Sequence, residues 1–116
     1  MFIASLVVSA LLALAVGGSG AMKLTKNDGV MAGMDAVRVP RDRVWVLGAL
    51  EVAAALGLII GIVWWPLGVA AAIGVILYFV GAIVAHIRVG DTKGLGAPAV
   101  LLVLGVAALV LRLLSV

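Results

Sequence analysis

The chain has no cysteine. That absence excludes a disulfide, a thiol relay, an iron–sulfur cluster and any thiolate-ligated metal built from this chain alone. Histidine is nearly missing too: His86 is the single one in 116 residues, so bis-histidine haem ligation within one chain is also excluded. The scattered carboxylates lack ligand spacing, and no metal is expected. Charge is scarce, at 11% of residues against about 25% in soluble domains. A chain of this composition has too few polar groups to cover a water-exposed surface. Its net charge of +3 is spread over too little exposed basic surface to track a phosphate backbone, so nucleic acid is not an expected partner. The Walker loop, the G-x-G-x-x-G fingerprint, the G-x-S-x-G elbow and the H-E-x-x-H helix are all missing.

What the chain does have is long apolar runs. Hydrophobic residues make up 66% of it, and its mean hydropathy is +1.41. A bilayer core of about 30 Å needs roughly 20 apolar residues per helix. Spans are predicted at about residues 2–22, 44–63, 66–87 and 95–111, which leaves no room for an aqueous domain. The predicted fold is all-α: a single polytopic domain, residues 1–116, forming a four-transmembrane-helix bundle in a lipid bilayer. The first run has small residues from Gly17 to Ala21, like a signal-peptide cleavage zone. No Lys or Arg precedes it, however, and it is longer than a usual signal core, so it reads as a retained span.

The first connection, residues 23–43, holds five of the eight basic residues. Within it, Asn27 or Asp28 can cap a short helix whose Val30, Met31, Met34 and Val37 share one face. Pro40 closes the segment, which predicts a short interfacial helix. Between the second and third spans stand only Trp64 and Trp65, with Pro66 at the first helical position. So short a link forces an antiparallel hairpin. The paired tryptophans mark one interface and Trp45 the opposite one. Arg112 is expected to snorkel outward from the end of the fourth span.

Seven of the eight basic residues fall in the first and third connections, and Arg112 alone lies on the other side. By the positive-inside rule, connections 23–43 and 88–94 are cytoplasmic and both termini lie outside a cell (inner) membrane. Small residues recur at four-residue spacing: Ala13, Gly17 and Ala21; Ala53, Gly57 and Gly61; Gly81 and Ala85. Such spacing predicts close helix contacts in lipid, within the chain or in a homo-oligomer.

Glu51 is the most informative residue. It lies about 12 Å beyond Arg43 along a helix. A carboxyl at that depth must face the bundle interior and be neutralised by a proton or a partner. Tyr78 lies at similar depth on the adjoining span, within reach of a hydrogen bond. His86 stands at the cytoplasmic end of the third span. Glu51, His86 and Tyr78 are therefore the candidate catalytic residues, and Lys23, Ser19, Arg88 and Asp91 the candidate binding residues. Together they predict a polar cup open to the cytoplasm with Glu51 at its floor. The plainer alternative makes Glu51 a structural interhelical bond and His86 an interfacial residue.

The chain resembles the DoxX-like family of small bacterial membrane proteins. The resemblance rests on Gly20-Ala21-Met22-Lys23-Leu24, on Val39-Pro40, and on Leu50-Glu51-Val52-Ala53-Ala54-Ala55-Leu56-Gly57. It continues through Pro66-Leu67-Gly68 and His86-Ile87-Arg88-Val89-Gly90-Asp91. It implies a four-helix membrane bundle, distantly related to the membrane subunit of thiosulfate:quinone oxidoreductase and to proteins linked with oxidative-stress complexes. The function so implied is an accessory or anchor subunit of a redox-linked, quinone-associated complex, with a partner protein. Two alternatives stand beside it: an intramembrane binder or enzyme for a small hydrophobic molecule, using a buried Glu/Tyr/His site, and an oligomeric transporter. The chain itself supplies no cofactor, and a quinone or lipid-like ligand is the candidate for a bound species. Whether it is an enzyme stays open, and the lack of cysteine argues against direct sulfur chemistry.

Overall fold

The computed structural model describes residues 2–115. Helix α1 is Phe2–Leu24 and α2 is Asp28–Ala36. A 3-10 turn, Arg41–Arg43, leads into α3, Val44–Ile60. Helix α4 is Trp65–Arg88, and a second 3-10 turn, Lys93–Leu95, leads into α5, Gly96–Leu114. All the regular structure among the described residues is helical. Four of these helices are long and apolar enough to cross a membrane. The molecule is 40 Å along its longest axis, close to the roughly 40–45 Å of a bilayer with its headgroups.

The four long helices form a ring in which α1 and α4 each pack against both α3 and α5. Leu12, Val16, Leu58, Val75, Phe79 and Ala108 fill its centre. Helix α2 lies across the end where the first and third connections meet. Its Asn27 cap accepts hydrogen bonds from Gly29 N and Val30 N, and Met31 and Val37 are buried beneath it. That end also shows how α1 and α2 stop without glycine. Lys26 and Arg38 adopt φ of 57° and 62°, the left-handed conformation that follows a helix C-terminus. Asn27 N then reaches Met22 O at 3.0 Å, and Val39 N reaches Met34 O at 3.0 Å. Gly90, at φ 73°, plays the same part after α4.

Close backbone approach fixes two of the helix pairs. A Cβ at Gly20 would lie 2.7 Å from Gly48 O, and one at Gly48 would lie 2.8 Å from Gly20 O. Helices α1 and α3 therefore touch backbone to backbone. Gly61 of the hairpin turn meets Gly68 of α4 just as closely, and a Cβ at Gly57 would lie 2.9 Å from the Ala71 Cβ. Towards the other end α3 and α4 diverge: a Cβ at Gly74 or Gly81 would meet nothing within 4 Å.

This pattern corrects part of the sequence reading. Ala21 and Ala53 are exposed, and Gly20 rather than Ala21 makes the contact. At about 100° per residue, two four-residue steps drift about 80° round the helix, whereas a seven-residue step returns within about 20°. Ala13 and Gly20 are seven apart. Gly81 and Ala85 line a cavity instead of a helix contact.

Arg112 is corrected too. Helix α5 runs three residues past the expected end at Leu111, so Arg112 sits within the helix and is buried. Its Nε donates to Gly61 O at 3.0 Å and its NH2 group to Ile62 O at 3.3 Å. These belong to the carbonyls that a helix C-terminus leaves without intrahelical partners, and in an apolar setting they need a donor. Arg112 therefore turns inward to cap α3 and does not snorkel.

Candidate functional site

The Gly20–Gly48 contact brings two charged residues together. Lys23 follows Gly20 by three residues, and Glu51 follows Gly48 by three. In a helix each Cα–Cβ bond tilts towards that helix's N-terminus. For Lys23 that direction leads from the end of α1 back into the bundle. For Glu51, on the oppositely running α3, it leads towards the end where Lys23 lies. The two side chains converge, and Lys23 Nζ sits 2.5 Å from Glu51 Oε1. Lys23 is 7% exposed and Glu51 1%.

Ser19, one turn before Lys23 on α1, joins them. Its Oγ accepts from Lys23 Nζ at 2.9 Å and donates to Glu51 Oε1 at 3.3 Å. From α4, Tyr78 OH donates to the same Oε1 at 3.1 Å. Three helices are thus tied to one carboxylate oxygen. The other oxygen, Glu51 Oε2, is buried and has no hydrogen-bond partner among the described residues. A buried acceptor left unsatisfied costs about 1–3 kcal/mol, so this atom calls for a donor that the described residues do not provide.

Two cavities lie where α3 and α4 diverge. One, of about 380 Å³, is bounded by Glu51, Tyr78, Val16 and Phe79, with Leu50 and Leu77 at its side. Leu50 and Leu77 are both exposed on the outer, lipid-facing surface, so this cavity opens sideways to the bilayer. The other, of about 320 Å³, extends towards α2 between Leu47, Tyr78, Ala85 and His86, under Met34 and Val37. Leu77 and Tyr78 line both, so Tyr78 stands between them. Both are almost wholly apolar apart from Glu51, the Tyr78 hydroxyl and His86.

The remaining candidates lie apart from the Glu51 cluster. His86 Nδ1 is 2.7 Å from Ala82 O, an approach that makes Nδ1–H the donor, and its Nε2 is 3.7 Å from Asp91 Oδ2. Asp91 Oδ1 accepts from Gly94 N at 3.1 Å. A Cβ at Gly94 would lie 2.5 Å from Asp91 Oδ2 and 2.6 Å from the His86 ring, so any larger residue there would displace these side chains. Together these groups brace the α4–α5 connection. Arg88 is exposed and makes no side-chain hydrogen bond or ion pair among the described residues. The single cup expected from the sequence is therefore divided. Ser19, Lys23, Glu51 and Tyr78 form one group, His86 and Asp91 a second, and among the described residues no hydrogen bond joins the two.

Some features were not foreseen from the sequence. The unpartnered Oε2 and the lateral cavity are properties of the packed bundle. The Lys23–Glu51 pairing did have a signal, the matching Gly20-x-x-Lys23 and Gly48-x-x-Glu51 spacing.

The sequence model of the DoxX-like family matches residues 7–108. No curated protein and no solved structure matches the chain.

Proposed function

The chain belongs to the DoxX-like family, and from that premise we propose that it binds a small, largely apolar molecule inside the membrane. The ligand enters from the bilayer past Leu50 and Leu77 and presents a hydroxyl or N–H group to Glu51. The observation that supports this is the buried, unpartnered Glu51 Oε2 beside an apolar cavity of about 380 Å³. Apolar walls with a single convergent polar anchor are the usual make-up of a small-molecule site. Lys23, Ser19 and Tyr78 hold the carboxylate by its other oxygen, which leaves Oε2 free to accept.

A lipid-like alcohol or a quinol belongs to this ligand class. With a quinol, the chain would act as an accessory subunit of a redox-linked complex. With no cysteine and one histidine to build a redox centre, the chain would only hold the quinol, which would itself give up two electrons and two protons to a partner protein that is reduced in turn. We place the protein in the cell (inner) membrane with both termini outside. Six basic side chains are exposed at the α2 end, while Arg112 is buried at the other.

The test fills the cavity without touching the charged cluster. Ala54 lines the cavity, and Ala54→Phe occupies part of it. Wild type purified in mild detergent should yield a stoichiometric organic-soluble molecule by mass spectrometry. Ala54→Phe should melt within a few degrees of wild type and yield at least about tenfold less of it. A wild-type extract no richer in any small molecule than that of an unrelated four-span protein overturns the reading.

A further inference from the structure

A third cavity, of about 210 Å³, lies at the α2 end and is lined by Val37, Arg38, Ala85, Arg88 and Val89. Arg38 follows the C-terminus of α2, and Arg88 is the last residue of α4, so two separate elements bring two guanidinium groups to one hollow. No carboxylate lines it. The nearby acids are engaged elsewhere: Asp35 takes a two-pronged contact from Arg41, at 3.2 and 2.6 Å, and Asp91 accepts from Gly94 N. Neither Arg38 nor Arg88 has an ion-pair partner among the described residues.

Directly beneath is the apolar cavity of about 320 Å³ under α2. The two share Val37 and Ala85. A paired cationic hollow thus sits on top of an apolar groove at the level where a span meets the membrane surface. That order, charge at the surface and hydrocarbon below, matches an anionic amphiphile. Arginine pairs with phosphate oxygens through two parallel N–H bonds, and basic pockets between helices at this level suit phosphate headgroups.

We propose that Arg38 and Arg88 bind a phosphate group, carried by the headgroup of an anionic phospholipid whose acyl chain lies in the groove below. The headgroup residues Arg38 and Arg88 do not touch the Glu51 cluster, and the site meets the cavity at Glu51 only through the groove below, where Leu77 and Tyr78 line both.

The experiment counts lipids bound to the protein in a non-ionic detergent, where no charged surface surrounds it. Native mass spectrometry follows titration with phosphatidylglycerol or phosphatidylcholine, and separately with inorganic phosphate. The variants are Arg38→Asn, which suits the left-handed backbone at that position, Arg88→Gln, and both together. Lys26→Gln with Lys93→Gln removes the same charge from the same end. Phosphatidylglycerol should bind wild type in preference to phosphatidylcholine. Each arginine variant should weaken it about tenfold, and the lysine pair less than about twofold. Survival of the lipid adduct in millimolar inorganic phosphate assigns the site to a headgroup; its displacement assigns the site to free phosphate. Equal losses in the arginine and lysine pairs would mean diffuse attraction and overturn the proposal, as would arginine variants that bind like wild type.

Discussion

A lysine at the end of a membrane span ordinarily reaches out to water. Lys23 reaches in, because the Cβ tilt of α1 and the contact at Gly20 aim it at Glu51. Its amine and the carboxylate lie 2.5 Å apart with almost no exposure. Desolvating two charges offsets much of their attraction, so the pair adds little net stability over an apolar pair. Breaking it is another matter, since the remaining charge is stranded. Lys23→Met should cost about 3–5 kcal/mol. Lys23→Met combined with Glu51→Gln should recover most of that loss, because no buried charge is left. Thermal unfolding of the two variants beside wild type, in one detergent, checks this. Equal losses in the single and double variants would show that the pair is not coupled. Tyr78→Phe removes only one neutral donor to a carboxylate that keeps two others, and should cost about 1 kcal/mol. Glu51 and Tyr78 were legible as neighbours from residue counts along the hairpin. Lys23 falls above Glu51 in the expected cup, since a count along a helix gives depth but not the direction a long side chain takes.

Glycine acts differently along each helix. Gly61 meets the backbone of Gly68, and Gly20 meets that of Gly48, whereas Gly74 and Gly81 meet nothing. Gly61→Leu should force α3 and α4 apart and cost at least about 1–3 kcal/mol. Gly81→Ala should be neutral or stabilising by up to about 1 kcal/mol, since it removes the helix penalty of glycine and meets no neighbour. Melting temperatures of the two variants decide the matter; similar losses would mean that α3 and α4 do not diverge at the Gly81 end. Both glycines sit in the same small-residue pattern and the sequence does not tell them apart. Their difference comes from the splay of the hairpin, closed where Gly61 meets Gly68 and open at Gly81. The capped start of α2 at Asn27 was legible, and that of α4 to within one residue, since the helix begins at Trp65 and Pro66 is its second residue; capping and proline geometry depend only on near neighbours in the chain. The ends of α1 and α2 were less so: Lys26 and Arg38 hold left-handed positions where glycine is usual.

For the whole molecule, the asymmetry of exposed charge is sharper than the sequence count. Lys23 is withdrawn into the bundle, but Arg112 is withdrawn too. That leaves Lys26, Arg38, Arg41, Arg43, Arg88 and Lys93 exposed at one end. With no native cysteine, single introduced cysteines report without background. Val63→Cys, at a hairpin position 86% exposed, should react with an impermeant maleimide in intact cells. Asp35→Cys on α2 should react only after the membrane is opened. The reverse pattern would place both termini in the cytoplasm.

Hydropathy and charge, which act residue by residue, were enough to determine the four spans and the short helix between the first two. A bilayer imposes those without reference to any other part of the chain. The tertiary structure decided what Glu51 meets, where Arg112 points, and where the bundle is left open. Each of these depends on the angle and register at which helices distant in sequence cross. Those are set by a few backbone contacts, such as Gly20 with Gly48 and Gly61 with Gly68, which no property of a single helix contains.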